Sequence, residues 1–191
     1  MSHRLLLFTL LLLSGIFSSH TLASGSRAEK KVEWKKTDLH QGYALLYGIA
    51  EKQKSVDMLL IVKNASTPTA ALIKEISRTY GELHGYLKPL AINGQLVAKS
   101  SNGLPLAETS SRDRIQRIKT EQLLSRSGPF FDLTLLSTQV EALTYSSALL
   151  SHIAEQDPSS ANKEKALAYQ QKLDGLLKKI WQQIEKLQKA G

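Results

Sequence analysis

Apolar residues spaced three and four positions apart, in segments bounded by proline, constrain the fold of this chain more than any other feature. One segment carries a full stripe of this kind: Ile73, Ile76, Tyr80, Leu83, Leu87 and Leu90. Side chains at that spacing share one face of an α-helix, and that face must be buried against another element. Aromatic residues make up only 6% of the chain, fewer than strands would favour. We therefore predict an all-α protein.

Four segments of this kind predict four long helices, over residues 38–63, 69–91, 129–156 and 158–189. In the last of them, Asp157 is expected as the N-cap and Pro158 as the first helical residue. A long connection, residues 92–109, and a short basic helix, residues 110–126, lie between the second and third helices. Because such helices are rarely stable alone, we expect a four-helix bundle with the short helix between its helix pairs.

The first 23 residues have the three-part pattern of a secretory signal peptide, with Arg4, an apolar run and small residues before a cut after Ala23. A membrane anchor is the alternative, but the run Leu5–Phe17 is short of the roughly 20 residues needed to span a bilayer. We expect residues 24–37 to be a basic flexible lead-in and residues 38–189 to form the bundle domain.

Charge and cysteine content define the expected compartment. Cleavage after Ala23 would lower the net charge from +8 to +7, with 24 basic against 17 acidic residues. The chain has no cysteine, so we expect no disulfide, no thiolate metal site and no acylated lipoprotein cysteine. No second segment is apolar enough to span a membrane. These features predict a soluble exported protein, periplasmic or secreted.

Four stretches of the chain form a recognisable series: VDMLLIVKNASTPT, ALIKEISRTYGELHGYLKPLA, NGLPLAE and SGPFFDLTLLSTQVEAL. Together they resemble an exported bacterial family, a domain of unknown function often labelled "predicted outer membrane protein", whose members are ferritin-like four-helix bundles. Ser127-Gly128 followed by Phe131-Asp132 is similar to the family's turn before its third long helix. The resemblance covers residues 38–185 and implies a ferritin-like fold.

The chain departs from this family at the residues that could carry chemistry. Members commonly have an acid–His pair late in the second helix and another in the third. The corresponding positions in this chain are Thr79-Tyr80 and Ala142-Leu143. The resemblance therefore implies a fold, and the missing histidines weaken any metal-binding role.

The remaining acids and histidines offer one candidate metal site. Helical rotation places Glu141 and His152 opposite the apolar stripe of the third helix, so we expect both to be exposed. Asp57, His84 and Asp132 lie on or beside inward faces, where an acid must be paired, protonated or metal-bound. They could bind iron, manganese or zinc, with Tyr80 nearby. The alternative is that Asp57 pairs with a lysine or Tyr80, and that Asp132 is stabilised by the N–H groups of a helix N-terminus.

The last helix carries lysines every seven residues, beside its apolar row: Lys165, Lys172, Lys179 and Lys186. This lysine row could bind an anionic envelope component, such as lipopolysaccharide or peptidoglycan, or an acidic protein. The alternative is a solvated helix face. Nucleic acid is not expected, because no aromatic residues alternate with the lysines.

No catalytic spacing occurs in the sequence, including H-E-x-x-H, G-x-x-x-x-G-K and G-x-S-x-G. We therefore expect a non-enzymatic protein that acts in the cell envelope through an interaction or in a stress response, without a cofactor. The alternative is a metal-binding or redox bundle with a degenerate site.

Overall fold

Helices account for most of the chain in the computed structural model, which describes residues 36–90 and 105–190. We number the α-helices α1 Lys36–Gln53, α2 Leu59–Val62, α3 Thr67–Leu90, α4 Leu106–Ser125, α5 Gly128–Gln156 and α6 Ser160–Ala190. A 3-10 helix, Val56–Met58, precedes α2. Neither described range contains a strand, so the prediction of an all-α protein is confirmed. Residues 1–35 and 91–104, which include the predicted signal peptide and most of the long connection, lie outside these ranges.

Helices α1, α3, α5 and α6 enclose the core. Both α1 and α6 contact α3 and α5, which places the four helices in a closed ring. Hydrogen bonds join Thr69 to Asp132 and Tyr80 to Ser146, so α3 and α5 run in the same direction. Helices α1 and α6 run in the opposite direction. An up-down pair, one long crossover and a second pair therefore describe the chain path.

The apolar stripes predicted for the long helices form the core. Ile73, Ile76, Tyr80, Leu83 and Leu87 of α3 are fully buried. They pack with buried residues of the facing helices: Leu46, Leu135, Leu136, Leu143, Leu150, Ile153, Leu173, Leu176 and Ile180. The 3.6-residue periodicity thus identified the inward faces of α3, α5 and α6.

The predicted first helix was wrong beyond residue 53. It was expected to run to residue 63 with Asp57 on or beside its inward face, but α1 ends at Gln53 and Ile61 is 75% exposed. The chain turns because the Ser77 hydroxyl of α3 lies 2.6 Å from the Lys54 carbonyl oxygen and 2.8 Å from Asp57 Oδ1. The single Ser77 hydroxyl proton is shared between these two acceptors, and a donor at the Lys54 carbonyl favours the 3-10 turn over continued helix, since a continuous helix would use that carbonyl itself.

Helix α4 lies on the outside of the ring. It has 20 residues, longer than the predicted short helix, and only Leu123 among them is buried. Polar contacts attach it to its neighbours: Arg112 lies 5.6 Å from the centre of the Tyr145 ring, and Lys119 pairs with Glu141 of α5. Glu141 and His152 are both exposed, as predicted.

The turn between α5 and α6 differs from its prediction by two residues. Helix α6 begins at Ser160, so Pro158 is not its first residue. Ser159 takes the N-cap position, and its Oγ accepts a hydrogen bond from the Asn162 N–H at 3.4 Å. Asp157, predicted as that cap, is instead a buried residue whose carboxylate binds Tyr43 of α1 and the Ser159 N–H.

Candidate functional site

Asp132 is buried against the N-terminus of α3. Its carboxylate accepts the Ser66 N–H, with oxygen–nitrogen distances of 3.3 and 3.2 Å, and the Thr69 hydroxyl at 3.0 Å. Ser66 Oγ and Gln183 Nε2 in turn lie 3.0 and 3.5 Å from Thr69 Oγ1. A helix N-terminus does bind Asp132, but it is that of α3, through the Ser66 N–H, and not that of its own helix α5 as expected. Asp132 is a cap supplied from a distant part of the chain.

The other two predicted metal ligands also have protein partners. Asp57 accepts from the Ser77 hydroxyl and is half-buried, which replaces the lysine or Tyr80 expected as its partner. His84 contacts the Glu51 carboxylate through Nε2 and stacks on Tyr47, with ring centres 4.9 Å apart.

These three residues occupy separate places along α3. Asp132 binds at residue 69, Asp57 at residue 77, and His84 itself lies at residue 84. At 1.5 Å per residue, the first and last positions are about 22 Å apart. No group of three or more His, Asp or Glu side chains in the described ranges is arranged to hold a metal ion. A joint site for iron, manganese or zinc therefore stays a prediction without a geometric basis.

Half of the lysine row is paired with carboxylates of α3. Lys172 Nζ lies 2.8 Å from Glu82 and Lys179 Nζ lies 2.6 Å from Glu75. The hydrogen bond from Lys172, helped by its positive charge, holds the pKa of the Glu82 carboxyl below its ordinary value. The two glutamates are seven residues apart, as the lysines are, so the antiparallel helices α3 and α6 match charge for charge. That spacing in the sequence could have identified these partners.

Lys189 pairs with Glu185 of the same helix at 2.6 Å, and the four remaining lysines of α6 make no ion pair with any residue that the structure describes. They are Lys163, Lys165, Lys178 and Lys186. Helix α6 carries seven lysines against three carboxylates, a net charge of +4. The described ranges together carry 19 basic and 15 acidic residues, which is also +4. The positive charge of this part of the protein is therefore concentrated on one helix.

A polar cluster closes the end of the bundle where α5 ends and α6 begins. Asp157 Oδ2 accepts from the Tyr43 hydroxyl at 2.6 Å and from Asn162 Nδ2 at 3.2 Å, while Oδ1 accepts the Ser159 N–H at 2.7 Å. Tyr86 donates to Asn162 Oδ1 at 3.1 Å. Sequence reasoning missed this cluster, because nothing near Asp157 indicates a partner 114 residues earlier.

Burial raises the pKa of the Tyr43 phenol, and the adjacent Asp157 carboxylate raises it further. Burial likewise raises the pKa of Tyr80, whose hydroxyl donates to Ser146 Oγ at 3.0 Å. A tyrosine with a raised pKa in the folded state stabilises that state fully below its unfolded pKa of about 10. The contribution is lost as pH rises from there toward the folded pKa, because only the unfolded chain releases the proton.

We therefore expect the free energy of unfolding to fall above about pH 10, by about 1 kcal/mol per pH unit from Tyr43 alone. Urea unfolding between pH 9 and 11.5, followed by circular dichroism, measures this slope. Tyr43→Phe should make the slope shallower, because it removes the phenol that ionises. An identical slope in the two proteins would contradict the raised pKa of this phenol.

Comparisons with protein-family models, with curated proteins and with solved structures found no match for this chain. The resemblance to the exported ferritin-like family therefore stays a prediction. Within the described ranges, no helix is both long enough and apolar enough to cross a membrane.

Proposed function

We propose that this protein is exported and acts in the cell envelope without catalysing a reaction, by binding an anionic envelope component through α6. The observation that carries the proposal is the concentration of charge on that helix, where four lysines have no carboxylate partner among the described residues. Lys172 and Lys179 serve a different purpose, since their ion pairs join α6 to α3.

The unpaired lysines extend along the helix. Lys163 and Lys186 are 23 residues apart, which corresponds to about 35 Å at 1.5 Å per residue. Separate positive charges spread over that length suit an extended anionic surface better than a small anion. Attraction of this kind is long-range and is screened by salt, with a Debye length of about 8 Å at physiological ionic strength.

Charge reversal in α6 should weaken this binding. We expect Lys165→Glu/Lys186→Glu to reduce binding to lipopolysaccharide or isolated peptidoglycan at least about tenfold, since each basic residue near an anionic surface contributes about 1 kcal/mol. Co-sedimentation at increasing salt measures the effect, with protein recovered from its host's periplasmic extract. Recovery there of a chain that begins at Ser24 would support export.

Arg114→Glu/Arg117→Glu in α4 is the matched control. Both arginines are exposed, and the double substitution changes the net charge by the same amount. Equal losses in the two variants would mean that only overall charge matters, and the assignment to α6 would be wrong. Binding that neither variant nor salt affects would exclude an anionic partner for this surface.

A further inference from the structure

Four large apolar side chains are exposed at the end of the bundle opposite the Asp157 cluster. They are Met58, Ile61, Val62 and Phe130, with 58, 75, 69 and 69% of their surfaces exposed. We infer that this end patch inserts into the headgroup region of an anionic phospholipid bilayer. The inference rests on the proposed function, because it takes the anionic partner of the protein to be a lipid surface.

Contacts hold the parts of the end patch together. Lys63 Nζ, directly after α2, donates to the Arg126 carbonyl oxygen at 3.2 Å, and the Asp132 carboxylate of α5 accepts the Ser66 N–H. These bonds place α2 beside the start of α5, where Phe130 lies. On α2, Leu59 and Leu60 pack against the core while Ile61 and Val62 face solvent. Helix α2 is thus packed against the core on one side and exposes apolar side chains on the other.

Charge around the end patch favours a lipid partner. Arg126 is exposed and Lys63 is half-buried beside the patch. Lys186 approaches from α6, where it lines a shallow groove with Pro68 at the start of α3. Apolar side chains surrounded by basic ones are typical of surfaces that bind anionic membranes, where burial and charge attraction act together.

The shape and size of the end patch favour a bilayer over a protein. The four side chains project from the end of the 3-10 helix, the short helix α2 and the start of α5 instead of lining a groove. A stable protein interface buries roughly 800 Å² on each partner, more than one such turn supplies. Penetration of the headgroup region requires only that a few apolar side chains protrude.

On a bilayer, this orientation narrows the proposed contact from the whole length of α6 to its carboxyl-terminal end. Lys186 lies near the end patch, whereas Lys165 is 21 residues away, about 32 Å along the helix. On vesicles, we therefore expect Lys186→Glu to reduce binding several-fold more than Lys165→Glu does. Equal effects of the two substitutions would mean that α6 lies flat on the bilayer and that the end patch is not the part that inserts.

The central experiment is vesicle co-sedimentation of the exported protein, with phosphatidylglycerol–phosphatidylethanolamine vesicles and with phosphatidylcholine vesicles. We expect binding to the anionic vesicles, reduced at least about tenfold by Ile61→Ser/Val62→Ser/Phe130→Ser. The control Leu106→Ser/Ile115→Ser/Ile118→Ser removes exposed apolar side chains from α4 and should change binding less than about twofold. Thermal melting of each variant confirms that it is folded.

A fluorescent label gives a second measurement that does not depend on removing the end patch. The chain has no cysteine, so Ile61→Cys and Leu106→Cys each accept a single environment-sensitive dye. With anionic vesicles, we expect a blue shift and quenching by lipid-borne quenchers at position 61 and neither effect at position 106. Unchanged emission at position 61 would overturn the inference even if the serine variant fails to fold.

The remaining outcomes separate this inference from the proposed function. Binding to lipopolysaccharide or peptidoglycan without binding to vesicles would overturn the inference that the end patch enters a bilayer, and the proposed function would stand. Absence of binding to every anionic component would overturn both. Self-association that the serine variant abolishes, with no vesicle binding, would assign the end patch to a second copy of the chain and would overturn the inference.

Discussion

Replacement of Asp132 with alanine is expected to lower the free energy of unfolding by about 3 kcal/mol, since hydrogen bonds to a charged group contribute about 1.5–3 kcal/mol and a favourable charge at a helix N-terminus adds to them. The carboxylate is 1% exposed and accepts from both Ser66 and Thr69. Its removal would leave the Thr69 hydroxyl buried without its acceptor and the first turn of α3 uncapped.

Urea unfolding followed by circular dichroism tests this prediction. Asp113→Ala is the matched control, because Asp113 is exposed on α4, and it should change stability by less than about 0.5 kcal/mol. Asp132→Asn retains the volume and one acceptor oxygen, so it should lie between the two. A loss for Asp132→Ala no larger than that of Asp113→Ala would mean that the cap contributes little.

Asp157→Ala is expected to have a similar effect, again about 3 kcal/mol, since it leaves several donors without an acceptor. Asp157 is 3% exposed and Tyr43 is 6% exposed. Water cannot easily replace the carboxylate that Tyr43 loses. The substitution would also free the turn before α6, where the Ser159 N–H and Asn162 amide bind the same side chain.

A double-mutant cycle with Tyr43→Phe isolates the interaction between the two side chains. Tyr43→Phe alone should cost about 1–2 kcal/mol, because it removes the donor and leaves a charged acceptor with its other partners. The double variant should then lose less than the sum of the single losses. Strictly additive losses would show that the 2.6 Å contact between Tyr43 and Asp157 does not contribute to stability.

The buried faces were predictable from the sequence because they depend on helix geometry alone. In α3, residues from Ile73 to Leu87 recur at helical spacing, and the structure buries each of them. Pro129 and Gly128 predicted the start of α5 to within one residue. Gly128 has a φ of +56°, a conformation that glycine adopts without strain.

The polar sites could not be derived in the same way, since their partners are distant in sequence. The predicted first helix overran because Ser77, on another helix, binds the turn at Lys54 and Asp57. Asp132 and Asp157 looked like ordinary helix-terminal acids, and each proved to bind residues more than 60 positions away. Residue type suggested burial of such groups, but only the packing of the helices decided their partners.

The Asp132 cap also affects the order in which the molecule can be completed during synthesis. A chain emerges from the ribosome N-terminus first, so Ser66 is synthesised 66 residues before the carboxylate that accepts its N–H. The separation is larger for Tyr43, whose acceptor Asp157 is synthesised 114 residues later. The pair α5–α6, by contrast, closes over short distances, as in the Ser147–Asp174 bond that spans 27 residues. The pair α1–α3 therefore depends on the pair α5–α6 for these two hydrogen bonds. A nascent or truncated chain that ends before α5 would lack the acceptor of the Ser66 N–H at one end of the pair and that of the Tyr43 hydroxyl at the other.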